Sequence, residues 1–321
     1  MSIKTTRSTK MGVKLLSTLL KSHCPDVVNK INLSRLRGKK VCVDTSIYLY
    51  RFKSQNNLIE KFYLMCSLFR YYEITPVFIF DGKPPAEKYE VLRCRRQKRK
   101  EAMDKYMKLL ETFGSVRTKN QDDILSKLKR NFTKISKTDI EEVKELFNAY
   151  GIKYMEAQGE ADVLCASLVL NKKVYAVLTE DMDLFAYGCA NVLRYFSLAN
   201  HNCLLYNLNK ILKKLSINLE DFQTLCILSG TDYYKSRKNI FSNLKLYYRF
   251  KDFYNGNTFF EWLIKYGFLN RDDGHQVSKI LDKYINIENE LSKYKYIPII
   301  FGQINKEKLY NILKKDRFII Y

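Results

Sequence analysis

Three short apolar runs constrain this chain most: KKVCVDTS, TPVFIFDG and KVYAVLTEDMD. Their consecutive Val, Ile, Phe and Leu residues lack the polar alternation of a strand with one wet face, which predicts strands buried on both faces of a parallel sheet. Between them lie segments with helical spacing: Leu58 to Tyr72, Glu87 to about Leu110, Thr138 to Tyr150 and Gly159 to Leu170. Thr138, with Glu141 three positions on, reads as a capping box. Alternation of this kind predicts an α/β fold, with a mostly parallel central sheet and helices on both faces. Beyond about residue 210 the pattern turns mainly helical, so a C-terminal helical subdomain is expected. Residues 1–10 are polar and basic without periodicity and read as a flexible extension, with the fold starting at Met11.

Each apolar run ends in acid: Asp44 after VCV, Asp81 after VFIF, and Asp181 with Asp183 after VYAVL. The C-terminal ends of strands in an open parallel sheet share one edge, where the ligand crevice forms. Four carboxylates from three strands are therefore expected to converge, and their repulsion calls for a cation. The three histidines (His23, His201, His275) and eight cysteines show no zinc-ligand spacing. Oxygen ligands alone suit a hard ion such as Mg²⁺ or Mn²⁺. Singly, each motif has a blander reading: a turn or cap for Asp44, a turn for DGKPP, an acidic first helical turn for EDMD. Their coincidence at equivalent strand ends favours metal. Glu160 and Asp162 stay ambiguous, because residues two apart on a regular helix point about 200° apart.

The wider charge pattern points to a polyanion. Lys and Arg number 56 against 34 Asp and Glu, a net charge of +22, on a chain that is 46% apolar and so has a core to fold around. Between Lys83 and Lys100 stand eight basic residues against Glu87 and Glu90, either a solvated helix face or one that meets phosphates. The cysteines sit mostly in apolar runs and read as buried thiols of a reducing compartment. No apolar run approaches the about 20 residues of a membrane span, and SIKTTRSTK lacks a signal-peptide core. A soluble, non-secreted protein without a membrane partner is expected.

Taken together, MGVKLLSTLLK, LRGKKVCVDTSIYLYRF, FRYYEITPVFIFDGKPP, YGIKYMEAQGEADVLCASLV, KVYAVLTEDMDLFAYG and LCILSGTDYY resemble the flap endonuclease branch of the XPG-type structure-specific nucleases, from about Met11 to Tyr234. The resemblance implies a PIN-like nuclease core with a helical arch, and a site in which seven acids hold two Mg²⁺, with Mn²⁺ able to substitute. By motif these are Asp44, Asp81, Glu160, Asp162, Asp181, Asp183 and Asp232. Asp162 stands where the family usually has Glu, one methylene shorter. The implied chemistry is phosphodiester hydrolysis that leaves a 5′-phosphate and a 3′-hydroxyl, as a flap endonuclease or 5′–3′ exonuclease in replication, repair or recombination. Lys88 and Arg95 fall on the family's catalytic gateway cations, with Arg96 and Arg99 gripping nearby backbone and Tyr50 on the aromatic that stacks a base. The arch covers about 82–137, where Lys127, Lys129, Arg130, Lys134 and Lys137 add positive charge. The implied organisation is an extension (1–10), an N-terminal nuclease region (11–110), the rest of the arch (111–137), an internal nuclease region (138–234) and a divergent helical region (235–321).

Two departures follow GTDY and the N-terminus. The family's Gly-rich duplex-binding element is replaced by KSRKNIFSNLKLYYRF, without glycine between Gly230 and Gly256. Backbone approach to phosphate, and with it potassium binding, is put in doubt, and Lys235, Arg237, Lys238 and Lys245 are candidates to bind duplex through side-chain charge. Family members usually begin at MetGly, so the ten preceding residues are extra. No C-terminal sliding-clamp peptide is found, and a monomer is expected. DNA with a flap, nick, gap or junction is the expected partner, in the nucleus or cytoplasm, or at a cytoplasmic replication site for a viral member, which the composition would suit. RNA cleavage by the same fold is the first alternative. A non-catalytic recombination scaffold is the second, and seven retained acids argue against it, since a binder gains nothing by repelling phosphates.

Overall fold

The computed structural model describes residues 12–236, 238–253, 256–295 and 297–315. In chain order its main elements are α1 (Leu16–His23), β1 (Val28–Asn32), β2 (Lys40–Asp44), α2 (Thr45–Lys53), α3 (Leu58–Tyr71), β3 (Thr75–Phe80), α4 (Tyr89–Phe113), α5 (Lys119–Phe132), α6 (Lys137–Tyr150), β4 (Lys153–Glu156), α7 (Ala161–Leu170), β5 (Ala176–Leu178), α8 (Asp183–Ala186), β6 (Asn191–Ser197), β7 (Asn202–Asn207), α9 (Leu208–Leu215), α10 (Leu219–Leu228), α11 (Ile240–Asp252), α12 (Phe259–Lys265), α13 (Arg271–Ile285) and α14 (Lys306–Lys315). The expected α/β class holds, and pairing is mostly parallel in the strands that carry acids.

The chain forms two compact units. One comprises Leu33–Ala161, Leu198–His201 and the segment after Lys295. Its strands run in the order β2-β3-β4, all parallel. Val41, Cys42 and Val43, and Val77 to Ile79, have no exposed surface, as unalternating apolar runs require. Phe62, Phe69, Phe78 and Phe147 pack among them, with Phe78 and Phe147 stacked at 4.2 Å. Helices α4 and α5 lie outside this core: α4 buries none of its 25 residues, and the two helices meet where the Tyr106 and Phe132 rings come within 5.1 Å.

The other unit takes the segment ending at Asn32, Asp162–Ser197 and Asn202–Lys295. Here β5 pairs parallel with β6, and β7 and β1 continue antiparallel in the order β5-β6-β7-β1. Helices α9 to α13 supply the helical region expected beyond residue 210.

Several boundaries differ from the sequence reading for local reasons. The cap of α6 is Ser136, whose Oγ accepts from Asp139 N while Asp139 Oδ2 accepts from Ser136 N, so the capping box lies two residues before Thr138 and Glu141. Helix α4 starts at Tyr89 after a 3₁₀ turn, Ala86–Lys88, that the two prolines impose. Cys94, on the exposed α4, is the exception to the buried thiols. Residues 1–10 and Arg237 lie outside the described residues.

Candidate metal and nucleic-acid site

In the unit that holds β2 and β3, three of the seven acids occur. Asp44 is the last residue of β2, 5% exposed, in register with Ile79 of β3. Asp81 follows β3 directly and is fixed twice: Ser46 Oγ donates to its Oδ2 at 2.5 Å and Ala161 N to its Oδ1 at 2.8 Å. The second bond caps the start of α7, where the helix dipole favours a carboxylate. Gly82 makes this possible by letting two backbones touch. Its N–H donates to Gly159 O at 2.7 Å, and an added Cβ would collide with Ala157 O and stand 2.7 Å from Gln158 O. The glycine of DGKPP thereby draws the GEAD segment to Asp81.

Glu160 precedes α7 and is not on the regular helix, so the 200° separation from Asp162 does not apply. Its Oε1 receives Lys88 Nζ at 2.5 Å, and Lys88 is only 7% exposed. A predicted phosphate-facing cation and a predicted metal-binding carboxylate are thus direct partners. Arg95 lies one turn and more along α4, half-buried, while Arg96 is exposed and Arg99 half-buried. On α5, Lys127 and Arg130 are exposed and Lys129 reaches Asn56 Oδ1 at 3.1 Å. Tyr50, on α2, is 42% exposed, enough ring to stack on.

The other unit holds the remaining four acids. Asp181 and Asp183 stand just beyond β5 and are 5% and 3% exposed. Thr179 Oγ1 accepts from Asp181 N at 3.0 Å, and Asp181 Oδ1 accepts from Asp183 N at 2.9 Å, so the loop orients its own acids. Gly12 lies against both. With φ +76° and no side chain it fits where a Cβ would overlap Asp181 Oδ1 and stand 2.8 Å from Asp183 Oδ1. Asp162, in the first turn of α7, and Asp183 both act on the buried phenol of Tyr187, which is driven well above its ordinary range by burial first, then by its tyrosine neighbours and these two carboxylates. Asp232 sits in the turn after α10, where Thr231 Oγ1 accepts from Tyr233 N and Tyr234 N at 3.2 Å. Lys235, Lys238 and Lys245 on the following segment are exposed.

Glu180, the first acid of the EDMD run, has a different role. Its Oε1 accepts from Tyr195 N at 2.7 Å, and Arg194, 5% exposed on β6, holds its backbone carbonyl at 2.9 Å. Arg194 is a positive charge beside the acidic loop that sequence reading missed, as it missed Gly12 and Ser46. Only the VDTS and MGVK motifs carried a local signal for the last two. Among the described residues, no three His, Cys, Asp or Glu side chains stand close enough to hold a metal ion as a group. The donors are nonetheless chemically suited to a hard divalent cation, being carboxylates alone, and Gly12 keeps side-chain bulk off two of them.

The comparisons with known proteins agree with the motifs. A family model described as the XPG N-terminal domain matches residues 11–102, and one described as the XPG I-region matches residues 151–232. Flap endonuclease 1 of Drosophila yakuba is 34% identical over 249 residues, 72% of this chain and 62% of the relative. Flap endonuclease 1 of Homo sapiens is 30% identical, with 72% and 63% covered. The chain thus spans a little over three fifths of the length of these curated relatives. Among solved structures, the catalytic core of Rad2 in complex with DNA substrate superposes with a TM-score of 0.62 at 23% identity, over 95% of this chain and 94% of that one. With two XPG segments in order across more than half its length, and flap endonuclease relatives over most of it, this chain belongs to the XPG family.

Proposed function

We propose that the protein is a divalent-metal-dependent, structure-specific 5′ nuclease that cuts phosphodiester bonds in branched or nicked DNA. The observation that carries this reading is the placement of Asp44, Asp81, Asp181 and Asp183 at the C-terminal ends of β2, β3 and β5, inside the segments matched by the XPG family. The flap endonuclease relatives and the DNA-bound Rad2 core supply the substrate class by analogy.

In this reading Asp44, Asp81, Glu160, Asp162, Asp181, Asp183 and Asp232 hold two Mg²⁺ ions. When bound, such ions lower the pKa of a water and stabilise charge on the attacking and leaving oxygens. The chain's own residues set the stage. Ser46 and Ala161 N fix the Asp81 carboxylate, and Asp183 N fixes that of Asp181. Lys88 exchanges its bond to Glu160 for the scissile phosphate, joined by Arg95, so substrate entry and release of Glu160 are coupled. Arg96 and Arg99 hold backbone phosphates, Lys127, Lys129 and Arg130 line the arch, and Tyr50 stacks a base near the cut, a contact worth about 1–3 kcal/mol. Lys235 and Lys238 bind duplex through charge. The protein acts as a monomer where its DNA is, in nucleus or cytoplasm. No described helix is long and apolar enough to cross a membrane.

The test is cleavage of a 5′-labelled double-flap DNA and a flap RNA of the same sequence, in Mg²⁺ and in EDTA. Metal-dependent cutting near the flap base of the DNA is expected. Preferential RNA cutting would transfer the activity to RNA, and absence of cutting on both would overturn the reading.

A further inference from the structure

We infer that Arg194 is a positioning residue for the loop Glu180–Asp183, fixing alternate residues so that the carboxylates of Asp181 and Asp183 are presented to a divalent cation. The inference rests on the nuclease reading above. Strand β6 runs beside β5, with Leu193 in register with Leu178, so Arg194 stands level with the start of the loop. Its Nη2 donates to Glu180 O at 2.9 Å and lies 3.6 Å from Glu180 Oε2, and its Nη1 reaches Met182 Sδ. Tyr195 N adds a 2.7 Å bond to Glu180 Oε1. Residues 180 and 182 are thereby tied to β6, while Asp181 and Asp183 carry the carboxylates that lie against Gly12.

Two further observations mark this as a built device. The guanidinium is buried, 4.9 Å from the ring centroid of Tyr195 and 5.7 Å from that of Tyr206, so its plane has little freedom. The ladder between β6 and β7 is irregular between Arg194 and Ser197, and Tyr195 there adopts φ +55°, a costly conformation for an aromatic residue. That conformation accompanies the bond from Tyr195 N to Glu180. A planar fork can hold a carbonyl and a neighbouring side chain at once, whereas an ammonium supplies charge without that geometry. Charge balance against Glu180 alone would need only the charge.

The experiment measures Mn²⁺ binding to the full-length protein by electron paramagnetic resonance of free Mn²⁺, with melting followed in EDTA. Residues that orient metal ligands typically alter affinity about 10–100-fold. Arg194→Lys is expected to weaken Mn²⁺ binding by about tenfold or more despite keeping its charge. Glu180→Ala and Glu180→Gln remove the same charge, but only Gln keeps an acceptor for Tyr195 N. The alanine variant is expected to lose several-fold more affinity than the glutamine variant, and this pair serves if the lysine variant fails to melt cooperatively. Wild-type affinity in Arg194→Lys, or equal losses in the two Glu180 variants, would overturn the inference. Failure of the wild type to bind Mn²⁺ would instead count against the nuclease reading.

Discussion

Gly12 shows how closely single atoms are fitted around the acidic loop. Substituting Ala places a methyl group in overlap with Asp181 Oδ1 on a backbone whose φ is +76°. Gly12→Ala is expected to cost about 1–3 kcal/mol and to weaken divalent-ion binding, read as a lower melting temperature in EDTA and a shifted Mn²⁺ titration. An unchanged titration would mean that Gly12 does not shape the acid pair. Asp44, Asp81, Asp181 and Asp183 were legible because they follow a local pattern, an apolar run stopped by acid, whereas Glu160, Asp162 and Asp232 came only through the family motifs. Their partners were not. Lys88 pairs with Glu160, Arg194 with Glu180 and Ser46 with Asp81 across long stretches of chain, and no local spacing encodes such meetings.

At the scale of elements, the strands that sequence revealed are those buried on both faces. The strands it missed are β1, whose VNKIN is partly or wholly exposed, the short β4, and the β6–β7 hairpin, whose polar residues dilute the apolar signal. Helix ends depended on which polar residue won the cap. For α6 the winner was Ser136 with Asp139, and this choice has a pH signature. Burial pushes the Asp139 carboxyl up, but hydrogen bonds from Lys53 and Ser136 more than reverse this and hold it below the ordinary aspartate range. Its stabilising contribution is therefore full above the ordinary aspartate pKa and is lost as pH falls through the depressed value. Asp221, which caps with Asn218 and accepts from Phe259 N, behaves oppositely, since burial raises its pKa. Its ionisation opposes folding increasingly as pH rises from the ordinary value through the raised one. Melting from about pH 3 to 6 should show the advantage of wild type over Asp139→Asn shrinking toward acid. Relative to Asp221→Asn, wild type should lose ground toward neutral pH. Parallel curves would contradict both assignments.

For the whole molecule, the net charge of +22 governs what it meets. A net positive charge of this size favours a polyanion, and the segment after Asp232 carries the exposed Lys235, Lys238 and Lys245. Duplex binding should accordingly weaken steeply with salt, each phosphate-contacting side chain adding about 0.9 to the slope of log K against log salt. Lys235→Gln and Lys238→Gln are each expected to flatten that slope by about this amount, measured by fluorescence anisotropy of a labelled duplex in EDTA. Slopes equal to wild type would place duplex contact elsewhere. The central claim is that the carboxylates at the strand ends serve catalysis by divalent metal rather than stability or binding, and Asp181→Ala examines it most directly. Flap cleavage in Mg²⁺ and flap binding in EDTA, measured on the same preparation, should separate. Cleavage should fall by more than about 100-fold while binding stays at the wild-type level or tightens. Cleavage that persists near the wild-type rate would contradict the account.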